Sequence, residues 1–364
     1  MSKNNSKTRS PLFHIVKRDP MTWYGALGVR IFAIAAALLL SAVVIMLLAQ
    51  KNPLEFYKAI IDGAFGSVDR IWILAQNLVM LLCVSLAVTP AFKMKFWNIG
   101  AEGQVLVGGL ATATVMMFFG DKMSLPLLIV VMTLASITAG IIWALLPAIS
   151  KALWNTNETL FTLMMNYIAI QLVAFFLKRF VKSGSGVLEP MHEYGLPVIA
   201  DMPYLLNIII VAVLTIIVYI YLKYSKQGYE ISVVGESENT AKYIGINVKK
   251  VIVRTLIISG AICGIAGLLL VGGTNHTIST TTVGGRGFTA IMVSWLAKFN
   301  PFVMVLTSFL IVFLERGAEQ VSSQFRIPSS ISDIITGIIL FFIIGCEFFL
   351  QYKIVFSKHR KEND

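Results

Sequence analysis

Ile31–Gln50 reads IFAIAAALLLSAVVIMLLAQ, with no charge between Arg30 and Lys51. At ~1.5 Å per residue this stretch makes about 30 Å of helix, one hydrocarbon thickness. Apolar blocks of the same kind recur near residues 71–91, 103–120, 125–149, 159–177, 203–222, 251–273 and 331–350. Over its 364 residues the chain is 57% hydrophobic and 13% charged, against roughly 25% charged in an ordinary soluble domain. So few charges cannot cover a water-soluble surface of this size. The chain reads as a polytopic α-helical membrane protein. A soluble enzyme, a secreted disulfide scaffold and a disordered chain are excluded. The net charge of +11 would suit a nucleic-acid binder if it were clustered. Here the basic residues punctuate apolar spans, so they encode orientation, and no nucleic-acid partner is expected.

The first thirty residues carry Lys3, Lys7, Arg9, Lys17, Arg18 and Arg30 against the single acid Asp19. The apolar stretch that follows is too long for a signal-peptide core and has no convincing cleavage site. It reads as an uncleaved first span with a cytoplasmic N-terminus. Phe288–Leu314 is apolar except for Lys298-Phe299-Asn300-Pro301, where proline disfavours helix in and before itself. Either one kinked span or a short helix at 288–297 followed by a span at 301–315 would fit. The last span leads into Lys353, Lys358, Arg360 and Lys361, which should also be cytoplasmic, so the number of crossings must be even. The expected fold is therefore all-α, with about ten transmembrane helices and both termini cytoplasmic. The eighth helix, near 288–297, is short, lining a cavity or packed inside protein because ten residues reach only about 15 Å.

This topology gives a basic N-terminal segment (1–30), a transmembrane domain (31–350) with a long cytoplasmic loop at 223–250, and a basic tail (351–364). Loop 92–102 also falls inside. Loops 51–70, 178–202, 274–287 and 316–330 fall outside, and the first of them has an amphipathic stretch (Leu54, Phe56, Tyr57, Ile60, Ile61, Phe65) suited to the membrane surface. Sorted this way, the outside carries ten basic and ten acidic residues and the cytoplasmic side twenty and nine, so the whole excess of +11 faces the cytoplasm. The basic N-terminal segment also suits contact with anionic membrane lipids.

The chain has no phosphate-cradling G-x-x-x-x-G-K-[ST], no Ser/His/Asp or H-E-x-x-H grouping, and no mid-membrane carboxylate pair of the kind an ion relay needs. Arg254 and Glu347 lie near the cytoplasmic ends of their spans, where snorkelling or a local ion pair accounts for them. Cys83, Cys263 and Cys346 sit in apolar spans and read as small hydrophobes. His14, His192, His276 and His359 are far apart in the sequence, and no metal is expected. Within the spans the polar residues are uncharged: Gln76, Asn77, Asn166 and Gln171. Interhelical hydrogen bonds would explain them, and so would a polar path for an uncharged solute.

Two segments are unusual. Phe96-Trp97-Asn98-Ile99-Gly100-Ala101-Glu102-Gly103-Gln104 places polar groups and two glycines at the start of a span. Asn98 is a candidate N-cap, and Glu102 suits the positive helix end. Val234–Val248 (VGESENTAKYIGINV) reads as a short amphipathic helix at about 236–246 with Thr240, Tyr243 and Ile244 on one face and Gly245 as its stop. It is either a plain connector or a docking helix for a cytoplasmic partner.

Together these segments resemble the permease subunits of bacterial ABC importers, in the branch that includes the simple-sugar (ribose-type), branched-chain amino acid and nucleoside systems. Phe96–Gln104 is similar to that family's F-N-I-G-x-E-G-Q segment, with Trp97 inserted. Gly235–Asn247 is similar to its G-x-N-x-x-A-A-x-Y-x-G-I-N coupling loop. Ser259-Gly260-Ala261 and Gly264, followed by Leu296 to Pro301, are similar to its small-residue span and L-x-x-x-N-P turn. Asn157-Glu158-Thr159 with Met164-Met165-Asn166-Tyr167 resembles a segment typical of nucleoside permeases. The likeness runs from about residue 30 to 350. It implies a non-enzymatic transport subunit of an ATP-driven importer in the bacterial plasma membrane, most like the nucleoside permeases. A simple-sugar permease (ribose or galactose), a branched-chain amino acid permease and a stand-alone secondary carrier are the alternatives. The implied partners are a second related permease, a cytoplasmic ABC ATPase that binds ATP and Mg, and an extracellular solute-binding lipoprotein; this chain itself would bind no cofactor. Coupling would fall to Glu236, Asn239, Ala241 and Gly245, and the translocation path to Gln76, Asn77, Asn98, Glu102, Gln104 and Asn166.

Overall fold

Caps written into the sequence set where the helices begin. In the computed structural model, which describes residues 13–18, 22–50, 52–181, 186–199, 202 and 204–356, a short strand β1 (Phe13–Lys17) precedes helix α1 (Trp23–Val44), which ends in a π-helical turn at Ile45–Ala49. Then come α2 (Pro53–Phe65), α3 (Val68–Lys93), α4 (Ala101–Phe119), α5 (Leu125–Trp154), α6 (Glu158–Phe180) and α7 (Leu205–Tyr224). Two short helices, α8 (Lys226–Glu236) and α9 (Glu238–Tyr243), lead to α10 (Val248–Leu270), α11 (Arg286–Leu296), α12 (Pro301–Phe325), α13 (Ser329–Gln351) and strand β2 (Tyr352–Phe356). Asn52, Ser67, Asn157, Ser225, Ser237 and Asn247 each accept a backbone N–H of the first turn of the helix that follows, satisfying donors that a helix start leaves without partners.

Nine helices among the described residues are long and apolar enough to cross a membrane: α1, α3 to α7, α10, α12 and α13. Between α11 and α12 the chain turns sharply, with Lys298 and Phe299 both in the left-handed region. The two-helix reading of 288–314 therefore holds, and α11, at 11 residues, is the short element. Loop 316–330 is shorter than expected, because α12 continues to Phe325. Residues 1–12 and 357–364, which hold much of the expected basic N-terminal segment and tail, lie outside the described residues.

The chain divides into two units. One comprises the residues up to Gly66 and those from Leu314 onward. Here β1 pairs antiparallel with β2, from Phe13 opposite Phe356 to Lys17 opposite Tyr352, a two-stranded ribbon that the hydropathy reading did not anticipate. The pairing puts the start of α1 and the end of α13 on one side, as an even number of crossings requires. Arg30 and Glu347 pair across the same two helices at 3.1 Å. The amphipathic α2 does not lie wholly on a surface. Phe56, Ala59, Ile60 and Ala64 are buried and Phe56 stacks on Phe325 of α12, while Leu54, Ile61 and Phe65 are exposed.

The other unit, Ser67–Phe313, is built around α10, whose neighbours α3, α4 and α5 pack on it. Gly264 makes this possible. A methyl group there would lie 2.4 Å from the Ser136 carbonyl of α5, and the Ser136 hydroxyl donates to the Gly264 carbonyl. Lipid offers no hydrophobic drive to bring helices together, so close backbone approach through small residues supplies the attraction instead. We predict that Gly264→Leu destabilises the protein by about 3 kcal/mol or more, read as loss of the monodisperse peak in detergent. Gly337→Leu, at an α13 position with open space around it, should leave that peak intact.

Candidate functional site

Loop 92–102 is not a loop at the bundle's edge. Leaving α3 at Lys93, the chain folds back into the helices, and α4 begins at depth. The Asn166 Oδ1 accepts the Gly103 N–H at 2.9 Å and its Nδ2 donates to the Ile99 carbonyl at 2.9 Å. Asn166 lies eight residues into α6, about 12 Å from the start of that helix. The Asn98 amide donates to Ser259 at 3.3 Å, a residue in the middle of α10. The Gln104 amide donates to Asn98 Oδ1 at 3.2 Å, and the Gly100 N–H reaches the same oxygen at 3.1 Å. Thr162 accepts the Ile99 N–H at 3.2 Å. Irregular backbone inside a bundle is tolerated only where protein satisfies it, and these side chains do so.

Loop 274–287 also departs from the expected position. At one end of the bundle, His276 and Ile278 accept the N–H groups of Met191 and Leu188. From there the chain descends, with Ile278 and Val283 fully buried, and α11 starts inside. The Glu102 Oε1 accepts the Gly285 N–H at 2.8 Å, and Oε2 accepts the Gly287 N–H at 2.7 Å. Arg286, between them, donates to Asn77 Oδ1 at 2.8 Å; Asn77 lies nine residues into α3. From there α11 runs toward the end of the bundle that bears α8 and α9. Ser294 donates to the Ser85 carbonyl at 3.1 Å, and Trp295 packs on Trp97 with ring centroids 5.7 Å apart. The N-termini of α4 and α11 therefore converge on one carboxylate that is only 9% exposed. Both helix ends carry partial positive charge, which favours an anion there.

Of the predicted path residues, Asn98, Glu102, Gln104 and Asn166 come together here, and Asn77 joins through Arg286. Gln76, its neighbour in sequence, points elsewhere. It donates to Thr274 and accepts from Asn207 at 3.4 Å, a separate polar cluster between α3, α7 and the end of α10. Gln171 is exposed on α6. Arg286, Thr162, Thr274 and Asn207 were not singled out by the sequence, and Ser259 was noted only as a small residue of its span. Of these only Arg286, flanked by Gly284, Gly285 and Gly287, carried a visible signal. His192 and His276, distant in sequence, face each other with ring centroids 4.8 Å apart; no group of three possible metal ligands forms among the described residues.

At the other functional segment, α9 covers only Glu238–Tyr243, shorter than the expected 236–246, because Ser237 breaks the helix and caps its second half. Glu236 is the exposed last residue of α8, and Asn239 is exposed on α9. Ala241 is fully buried and anchors α9, while Tyr243 is 93% exposed and Ile244 follows it at the surface. Gly245 adopts φ +84°, and the Ile246 N–H returns to the Ala241 carbonyl at 2.9 Å. This is a left-handed helix stop that glycine adopts without penalty. Beside it, Gly235 packs so closely on α3 that a methyl there would meet the Lys93 carbonyl at 2.2 Å.

Residues 70–344 match the family described as branched-chain amino acid transport system/permease component. The glucose ABC transporter permease of Haloferax volcanii is 26% identical over 96% of this chain and 94% of its own length. The guanosine ABC transporter permease of Bacillus subtilis is 30% identical, over 84% and 89%. A nucleoside ABC transporter permease of Lactococcus lactis is 26% identical, over 86% and 90%. No solved structure matches the chain.

The geometry yields a stability prediction. Glu102→Gln leaves one of the two backbone donors facing an amide NH2, and Asn166→Leu strips partners from Gly103 and Ile99. Each should cost about 2 kcal/mol, measured as a lower midpoint of thermal unfolding in detergent. Gln171→Leu should not move it.

Proposed function

The chain belongs to the permease-component family of branched-chain amino acid transport systems, and we propose that it carries nucleosides. It is the membrane-spanning subunit of an ABC transporter, a transport component and not an enzyme, and a multi-pass protein of the bacterial plasma membrane. Permeases of this kind work with an ATPase and a substrate-binding protein. In our reading the ATPase holds ATP and Mg, the binding protein is an extracellular lipoprotein, and a second related permease completes the path.

The observation that carries the reading is the convergence of α4 and α11 on Glu102. Two helices that begin inside the bundle, with amide and hydroxyl groups around their ends, meet at one anchored carboxylate beside Arg286, a hydrogen-bonding cluster with no net charge. A nucleoside offers a neutral base and ribose hydroxyls to such a cluster. Asn77, Asn98, Glu102, Gln104 and Asn166 would line that path, with Gln76 beside Asn207 further along. The guanosine and nucleoside permeases among the relatives favour this solute. A sugar is the second reading, favoured by the glucose permease that matches over nearly the whole chain.

The same chain segment offers a route for coupling. The exposed Tyr243 at the end of α9 and Ile244 after it would dock on the ATPase. α8 then presses Gly235 against Lys93 and Met94, and the next residues are the inward-folding segment that ends at Glu102. A shift of α8 and α9 would thus be delivered to the meeting point of α4 and α11, which gives ATP binding two packings to choose between.

Two tests follow. A strain lacking this chain should lose uptake of labelled adenosine, guanosine or uridine; intact nucleoside uptake with lost ribose or glucose uptake would replace the nucleoside by a sugar. In the purified complex, Gly245→Pro and Glu236→Lys should each abolish most substrate-stimulated ATP hydrolysis. Full stimulation in both would remove coupling from this loop.

A further inference from the structure

The last turns of α5 and the first turns of α10 enclose a groove of about 580 Å³. Its rim carries Lys249, Lys250 and Arg254, and its floor includes Ile149, Leu153 and Ile257. Two neighbouring ionic groups are already committed. Arg254 pairs with Glu230 at 2.8 Å, and Lys151, next to the lining residue Ala152, pairs with Glu158 at 2.9 Å. Lys249 and Lys250 are exposed and form no ion pair among the described residues. They therefore leave the groove with two uncompensated positive charges at the first turn of α10, where the helix dipole adds to them. Below them the floor is apolar and open, with Leu153 58% exposed.

A cationic rim above an open apolar floor, at the end of two membrane-spanning helices, matches an anionic amphiphile. A second protein subunit fits less well. Helix contacts in membranes favour small residues, whereas this face presents lysines and branched aliphatics, and burying unpaired lysines is costly. A free phosphate would satisfy the lysines and leave the floor uncovered. A zwitterionic lipid would bring its own cation to the lysines. We propose that this groove seats an anionic phospholipid, with its phosphodiester on Lys249 and Lys250 and an acyl chain along Leu153 and Ile257.

Native mass spectrometry of the full chain, titrated with phosphatidylglycerol or phosphatidylcholine, tests this. Phosphatidylglycerol should be retained in preference to phosphatidylcholine. The Lys249→Gln/Lys250→Gln double variant should lower phosphatidylglycerol affinity about thirty-fold, at ~1 kcal/mol per lysine near a phosphate, and leave phosphatidylcholine unchanged. Lys226→Gln/Lys242→Gln makes the same charge change outside the groove and should leave phosphatidylglycerol affinity within about twofold. Ile257→Trp, which fills the floor, should weaken phosphatidylglycerol without changing the charge. Four results would each overturn the assignment: unchanged affinity in the first double variant, an equal loss in the second, equally strong competition by chain-free glycerophosphoglycerol, or loss of the bound lipid when partner subunits assemble on the chain.

Discussion

The carboxylate of Glu102, holding the backbone N–H groups of Gly285 and Gly287 at 2.8 and 2.7 Å, is the constraint on which the Ser67–Phe313 unit turns. Helices that start inside an apolar bundle expose first-turn N–H groups with no water to satisfy them. α4 and α11 both start there. One side chain, itself in the first turn of α4, meets the N–H groups of α11 and lies in the favourable field of both helix ends. Without it, the descent of residues 276–285 would leave buried donors unpaired, and α11 would have no reason to begin at that depth. Asn166 does the corresponding work for the segment after Lys93, donating to one backbone group and accepting from another.

That arrangement depends in turn on α10. The side chains that hold the inward-folding segments are short, so the helices bearing them must approach closely. Gly264 lets the backbone of α10 reach Ser136 of α5, and Gly267 lets it reach Gly109 of α4, where a methyl would lie 2.4 Å from the Gly109 N. Ser259, one turn before Gly264 on the same helix, then comes within 3.3 Å of Asn98. The small residues of α10 are thus both a packing device and the reason that polar groups on other helices can meet.

Much of this was legible in the sequence, and the rest was not for identifiable reasons. Long apolar blocks gave the spans, whereas the cap at Ser237 went unread and fell inside the helix expected at 236–246. The break at Lys298–Pro301 was readable from proline, but that it separates two helices needed the sidedness of the flanking charges as well. Depth was not readable. Hydropathy reads Met94-Lys95 and Gly284–Gly287 as boundaries because they are polar or glycine-rich, and it has no means to tell a loop in water from a loop folded into protein. Adjacent residues also part company. Gln76 and Asn77 differ by about 100° around α3, so one faces Asn207 and the other Arg286, and a reading of polar content alone joins them.

The same misplacement of depth bears on the charge pattern. Glu102 was assigned to the cytoplasmic side and Arg286 to the outside, yet α4 and α11 bring them to one interior site. Removing this oppositely charged pair from the two sides takes an acid from the cytoplasmic tally and a base from the outer one. The cytoplasmic excess of basic residues therefore grows, and the positive-inside signal does not rest on the two charges that were misplaced. It rests on lysines such as Lys223, Lys226, Lys242, Lys249 and Lys250, around α8, α9 and the start of α10. In the proposed mechanism that is the end at which the ATPase docks. The residues that orient the chain and the helix that would receive its driving force thus occupy one short stretch of sequence.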